Sequence, residues 1–230
     1  MGYNAVVKEL GKHKDAEKAR VLQRFFKTGK GEYGEGDVFL GVSVPVQRKV
    51  AGMYWRDCSL SDVQALLDSK FHEHRLTGLF ILVKLYEKDK DKKKIVGFYL
   101  ENTERVNNWD LVDSSAHKII GDYLVGRDRK VLYKLLKSRY LWERRISVIS
   151  CFAFIARNDF KDALRICELL LKDEHDLIHK ATGWMLREIG KRDLKVLEGF
   201  LVKHHKVMPR TMLRYSIERL SEQKRKRLLG

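Results

Sequence analysis

The chain has 230 residues, 44% hydrophobic and 34% charged, a balance that supports a folded core and excludes a disordered segment. Its 47 Lys and Arg against 31 Asp and Glu give a formal charge of +16, which points to a polyanionic partner, nucleic acid ahead of an anionic membrane surface. No apolar run approaches the roughly 20 residues of a membrane span, no signal-peptide core follows Met1, and three widely spaced cysteines, Cys58, Cys151 and Cys167, suit reduced thiols in a cytoplasmic protein rather than a disulfide framework.

Residues 1–27 read as helical, with Val6, Leu10, Ala16, Ala19, Leu22 and Phe26 at helix-like spacing. The stretch from Thr28 to Asp37 is a loop. It contains G-x-G-x-x-G (Gly29, Gly31, Gly34), but a dinucleotide site needs a strand before the glycines and a helix opening within them. Here a helix precedes and Glu32, Glu35 and Asp37 fill the loop, so a turn between helices is the better reading. Pro45 then suits the first turn of a helix, where its missing donor costs nothing. Helices are expected near 45–56, 60–69, 71–88, 92–106, 108–125, 128–138, 140–157, 159–172, 175–191, 194–206 and 209–220, with no convincing strand. Pro45 and Pro209 are the only prolines, so nothing interrupts the middle of the series.

The series repeats. His74-Arg75-Leu76-Thr77-Gly78-Leu79, Arg144-Arg145-Ile146-Ser147-Val148-Ile149 and His179-Lys180-Ala181-Thr182-Gly183-Trp184 align position for position, and Val112-Asp113-Ser114-Ser115-Ala116 falls between the first two. The marker positions 75, 113, 145 and 180 recur at the period of a helix-pair solenoid of the HEAT class. The reading is one all-α domain over 1–230: N-terminal helices and the Gly-rich loop (1–44), helix-pair repeats (45–220) and a basic tail (221–230) that grips DNA non-specifically or is a frayed end. In such an array equivalent positions line one curved surface, so Arg75, Arg145 and Lys180 are candidate phosphate contacts. The alternative is a row of solvated helix faces. Lys180, Trp184 and Arg187 share a stripe, while Ile178, Ala181, Met185 and Ile189 form a separate apolar face. Trp142 is core or rim.

Asp113 is the exception in the ladder. It follows Trp109 by one helical turn, in a segment whose start Asn107 or Asn108 caps and Asp110 favours electrostatically. A carboxylate facing a phosphate backbone is repelled, a cost that needs offsetting. It either pairs with a neighbouring rung or His117, or it orients a water or stabilises positive charge in a ligand, such as the sugar cation that develops when an N-glycosidic bond breaks. The histidines of His72-Glu73-His74 and His204-His205 lack the spacing and third ligand of a zinc site and read as part of the basic surface. No Ser or Cys nucleophile constellation stands out.

The segments Trp109-Asp110-Leu111-Val112-Asp113, Trp142-Glu143-Arg144-Arg145 and Lys180 to Glu188, with Phe26 to Gly29 and Phe39 to Pro45 near the N-terminus, resemble the AlkD-like DNA alkylation-repair glycosylases over nearly the whole chain. The resemblance implies a right-handed superhelical solenoid with a concave basic face, and a monofunctional enzyme that excises cationic N3- and N7-alkylated purines from duplex DNA without a deep base-flipping pocket or a cofactor. It makes Asp113 the catalytic carboxylate, Trp109 and Trp184 the residues against the lesion-bearing nucleotide, and Arg145, with Arg144, Lys180, Arg187 and Arg75, the contacts to the DNA backbone. It also implies a cytoplasmic monomer, nucleoid-associated when bound. Some relatives place a tyrosine near the N-terminus against DNA, where this chain has Phe25 and Phe26. The competing readings are a non-catalytic HEAT-repeat nucleic-acid binder and a protein scaffold. The charge argues against the scaffold, and Asp113 with the two tryptophans separates the enzyme from the binder.

Overall fold

A computed structural model describes residues 2–229. The expected all-α class holds: among these residues β structure is limited to one isolated parallel bridge, Val38 with Phe71. Two compact units divide the chain after Ser115.

The first unit comprises α1 (Gly2–Gly11), α2 (Ala16–Phe25), α3 (Val44–Tyr54), α4 (Leu60–Leu67), α5 (His72–Lys88), α6 (Lys92–Glu101) and α7 (Trp109–Ala116, which ends one residue past the division). Its centre is α5, which packs against α3, α4 and α6. Leu76, Leu79, Ile81, Leu82 and Tyr86 are all buried, and so are the polar residues His72, Glu73, His74 and Arg75 at the start of the helix. The N-terminal region expected to be helical over 1–27 forms two helices, α1 and α2. Asp15 ends the break between them, its carboxylate accepting from Lys18 N (3.0 Å) while its own N–H donates to Leu40 O (2.9 Å).

The loop after α2 is anchored from beneath by α5. Glu73, 1% exposed, accepts from the backbone N–H groups of Leu40, Gly41 and Val42 at 2.8–3.2 Å. Gly41 sits at φ +82°, where a side chain would meet the Asp15 carbonyl, so glycine is required there. The bridge at Val38 completes the attachment, with His72 N donating to Val38 O (2.9 Å). Asp37 is thereby carried inside, beside α5.

The second unit contains a π-helical turn (His117–Gly121), α8 (Lys130–Leu136), α9 (Leu141–Ser150), α10 (Phe152–Ile155), α11 (Lys161–Leu169), α12 (Asp176–Arg192), α13 (Leu194–His204), α14 (Arg210–Ser216) and α15 (Glu222–Leu229). The helix expected over 108–125 is thus α7 followed by the π turn, and that over 140–157 divides at Cys151. The α12 helix is central, packing on α9, α10, α11, α13 and α14. Its expected apolar face is buried, with Ile178, Ala181, Met185 and Ile189 fully inaccessible. Gly183 lets α14 approach closely, since a Cβ there would lie 2.6 Å from Met212 O. Trp142 is core, 3% exposed. The basic end of the chain is the helix α15.

A capping pattern recurs at the starts of α5, α9 and α12. Two residues before each helix's N-cap, Ser69, Ser138 and Asp173 accept from the cap N–H of Phe71, Tyr140 and His175 at 3.2, 3.0 and 2.9 Å. The backbone carbonyls of the same three residues accept from Arg75 (2.9 Å), Arg144 (3.1 Å) and His179 (2.5 Å). This pattern aligns Arg75 with Arg144, one position away from the sequence alignment that paired it with Arg145. One residue on a helix is about 100° of rotation, so Arg75 faces its own capping loop.

Candidate nucleic-acid interface

Within α7, Leu111, Val112, Ser115 and Ala116 are buried, and Trp109, Asp113 and Ser114 lie on the half-accessible edge. The helix starts where the sequence placed it: Asn108 O accepts from Val112 N at 3.1 Å. The Asn108 side chain, however, accepts from its neighbour Trp109 N (2.8 Å) and donates to Asp37 Oδ2 (3.3 Å). Tyr99, under the same helix, bonds Ser115 Oγ (2.9 Å). Burial above all, with the charge of Asp113 adding to it, raises the Tyr99 phenol's pKa beyond its usual range, although the bond to Ser115 works the other way.

Trp109 stacks on Phe26 (centroids 5.1 Å apart, planes at 16°) and meets Phe25 edge-on at 6.1 Å. The stack continues inward, from Phe26 to Phe39 and His72, each 5.0 Å away. Phe25 is 60% exposed, so an apolar ring stands open beside the tryptophan.

Beneath Trp109 is a charge cluster that the sequence reading missed. His72 Nδ1 bonds Asp37 Oδ2 at 2.9 Å and its Nε2 bonds Asp110 Oδ2 at 2.8 Å. Arg75 Nη2 donates to Asp37 Oδ1 at 2.5 Å, and Asn107 reaches the same oxygen at 3.4 Å. His72, Asp37 and Arg75 are 2%, 3% and 5% exposed. The expectation that His72 and His74 belong to the basic surface is therefore corrected: both are buried, and His74 bonds Ser69 Oγ. Asp37 is one of the three acids of the loop, and the loop's attachment to α5 turns it inward.

Burial opposes the proton on His72, but Asp110 and Asp37 outweigh it and push the pKa up to about 9. Asp37 is held below the usual carboxylate range: burial raises it, and His72, Arg75 and Asn108 together more than reverse that. His74 goes the other way, pushed down to about 4 by burial and by the charges of Lys14 and Arg75. These shifts make stability depend on pH. His72 is protonated more readily folded than unfolded, so its contribution is complete below its ordinary value of 6.5 and is lost as pH rises through about 9. His74 resists protonation in the fold, so its contribution is lost as pH falls from 6.5 towards 4. Thermal unfolding across pH 4–10 is expected to show a maximum near neutrality. The alkaline loss, on the order of 3 kcal/mol, should disappear in His72→Gln.

In the second unit Trp184 is half-buried, its Nε1 donating to Glu188 Oε1 at 3.0 Å and its ring 6.0 Å from Phe152. Phe152 in turn meets His117 at 5.3 Å. Lys180, 40% exposed, pairs with Asp176 at 2.8 Å, and Arg187 pairs with Glu218. Arg145 is 5% exposed and donates to Leu177 O at 2.5 Å, which ties α9 to the first turn of α12.

The expected DNA-backbone cations are placed differently from one another. The Arg75 guanidinium is buried against Asp37. Arg144 is turned into its capping loop, bonding Asp173 Oδ2 (2.8 Å) and the carbonyls of Ser138 and Arg139. Arg75, like Arg145 at 5% exposure, is enclosed, whereas the Arg144 side chain, though bonded to its capping loop, keeps 18% of its surface accessible, as Arg187 keeps 19%. Lys180 and Arg187 keep accessible surface. Trp109 and Asp113 are brought together in the first unit, and Trp184, Lys180 and Arg187 along α12 in the second.

Over residues 6–220 the chain matches the family model described as DNA alkylation repair enzyme, and it belongs to that family. Among solved structures it is similar to a predicted DNA alkylation repair enzyme from Enterococcus faecalis, at 16% identity and a TM-score of 0.74, covering 91% of this chain and 98% of that one. AlkD2 from Streptococcus mutans is similar at 17% identity and a TM-score of 0.56, covering 89% and 98%. The protein smu.31 from Streptococcus mutans UA159 is similar at 18% identity and 0.53, covering 100% and 98%. At these identities the likeness is one of fold. No curated protein matches the chain.

Proposed function

We propose that this member of the DNA alkylation repair family is a monofunctional DNA glycosylase that hydrolyses the N-glycosidic bond of cationic N3- and N7-alkylated purines in duplex DNA. The observation that carries the reading is the pairing of Trp109 and Asp113 on the accessible edge of α7 in a chain of charge +16. A carboxylate on a phosphate-binding surface is repelled unless it pairs with a neighbouring cation or the ligand develops positive charge, and the second is the role proposed for Asp113.

The chemistry needs little from the protein. An alkylated purine already carries the positive charge that makes it a leaving group, so no general acid is required and no cofactor is called for. As the C1′–N bond lengthens, the bonding electrons leave with the base, which departs neutral, and the deoxyribose takes on oxocarbenium character. Asp113 stabilises that cation beside the electron-rich face of Trp109, and Trp184 is a further proposed contact to the nucleotide. Water adds at C1′ and releases a proton, leaving an abasic site in an intact strand. No amine in the set forms a Schiff base, so strand scission is not part of the product pattern. Lys180 and Arg187 on α12 meet phosphates, and Arg145 supports the start of that helix through Leu177 O. The protein acts as a monomer in the cytoplasm, on the nucleoid.

The test is incubation with duplex containing N7-methylguanine or N3-methyladenine, followed by chromatography for free base; release no faster than spontaneous depurination removes the enzyme reading. A non-catalytic DNA binder is the second reading, favoured by the charge alone. Both readings share one expectation. Affinity falls steeply with salt and depends little on sequence. Lys180→Glu weakens binding to damaged and undamaged duplex alike and lowers the salt slope by about one. Fluorescence anisotropy between 50 and 200 mM salt measures this, and an affinity flat in salt would count against a phosphate-gripping face.

A further inference from the structure

We propose that His72 is a positioning residue for the Trp109–Asp113 edge of α7, acting as a doubly donating bolt between Asp37 on the loop and Asp110 in the first turn of that helix. The proposal rests on the functional reading above for the importance of that edge, and on geometry alone for the mechanical link.

The imidazole touches α7 in two ways. Through Nε2 it holds the carboxylate of Asp110, the residue next to Trp109, at 2.8 Å. Through its ring face it supports Phe26, 5.0 Å away, on which the Trp109 ring is stacked. Its other nitrogen is held by Asp37 at 2.9 Å, and Asp37 also accepts from Asn107 and Asn108, the two residues that lead into α7. Asp37 and the His72 ring thus tie the loop to the start of α7, beside the direct stacking of Phe26 on Trp109.

Only the imidazolium can make both bonds as a donor. A neutral ring has one N–H, and its bare nitrogen would face a carboxylate oxygen lone pair to lone pair. The charged groups around the ring are Asp37 from the loop, Asp110 from α7, and Arg75 from its own helix, held to Asp37. Phe26 and Phe39, which cover its faces, carry no charge. With His72 protonated, two cations balance two carboxylates. Without the proton, the buried set keeps one uncompensated negative charge, and the more accessible partner, Asp110 at 12% against 3% for Asp37, is the one that can turn out to solvent. Asp110 would carry the first turn of α7 with it, moving Trp109 and, one turn on, Asp113. A displacement of about 1 Å at a reacting centre is enough to cost roughly 100-fold in rate.

Two measurements on the full chain test this. In the 15N-labelled wild-type protein, titrated from pH 6.5 to 10, the Trp109 indole N–H signal (assigned with Trp109→Phe) is expected to move with the midpoint of the His72 ring signals, near pH 9. The movement should be absent in His72→Gln. A Trp109 signal that stays fixed while His72 titrates overturns the proposal, and this arm needs no variant to fold and no activity. In single-turnover excision at pH 7.5, His72→Gln is expected to be slower by about 10- to 100-fold, with affinity for undamaged duplex within about twofold of wild type. A folded His72→Gln protein that excises at the wild-type rate overturns the proposal. A wild-type chain that releases no base at any pH instead overturns the glycosylase reading, and the indole titration then decides the link between His72 and Trp109 by itself.

Discussion

Asp113→Asn is expected to slow single-turnover release of N7-methylguanine from duplex DNA by roughly one to three orders of magnitude, the worth of one well-placed electrostatic group. The substitution keeps the shape of the side chain and removes its charge, so the stabilisation it provides to a sugar cation is what is lost. Affinity for duplex should stay equal or rise, because a repulsion with phosphate disappears. The size of the effect depends on the lesion: N7-guanine adducts depurinate slowly and need the carboxylate, whereas N3-adenine adducts leave readily and conceal part of the loss. If Asp113 served only to brace its half-buried edge of α7, the variant would lose modest stability and keep its rate. Excision and binding measured on the same folded preparation separate the two.

Asp37→Asn is expected to be the most damaging single change to the first unit, costing about 3–5 kcal/mol. The carboxylate is 3% exposed and faces Arg75 and His72 at 2.5 and 2.9 Å. Neutralising it leaves two buried cations with Asp110 as their remaining carboxylate, and turns a balanced set into one of net positive charge. Asp110→Asn should cost less, because that carboxylate retains some contact with water. Chemical denaturation of both variants checks the order. An Asp37→Asn chain within 1 kcal/mol of wild type would mean that the cluster contributes little to holding the loop.

The contrast between those two acids shows where the sequence was informative. The helices were legible because long apolar periodicities such as Ile178, Ala181, Met185 and Ile189 have one physical solution, and the α7 start was legible because Asn108 and Asp110 carry their own helix-start chemistry. Trp109 and Asp113 could be placed on one edge from spacing alone. Asp37 could not be read in the same way. A carboxylate after a run of glycines is solvated by default, and its burial follows from the bridge at Val38 and the grip of Glu73 on three backbone N–H groups, contacts more than thirty residues apart. The same long-range attachment explains Arg75. The repeat alignment was correct to within one residue, but one residue of helix rotation separates a cation on an open face from one turned into its own capping loop. Arg144 repeats that outcome through Asp173, twenty-nine residues away. Short-range pattern places a helix, whereas the partner of a charged side chain depends on which distant segment folds over it.

The central claim is most directly tested by measuring free base released from an N7-methylguanine-containing duplex by the purified wild-type chain under single-turnover conditions. N7-methylguanine is expected to be released well above the spontaneous rate, leaving an abasic strand that remains intact until treated with alkali, at a rate strongly reduced in Asp113→Asn. Base release by wild type indistinguishable from spontaneous depurination, with the DNA bound, would contradict it and leave the chain a binder of duplex DNA.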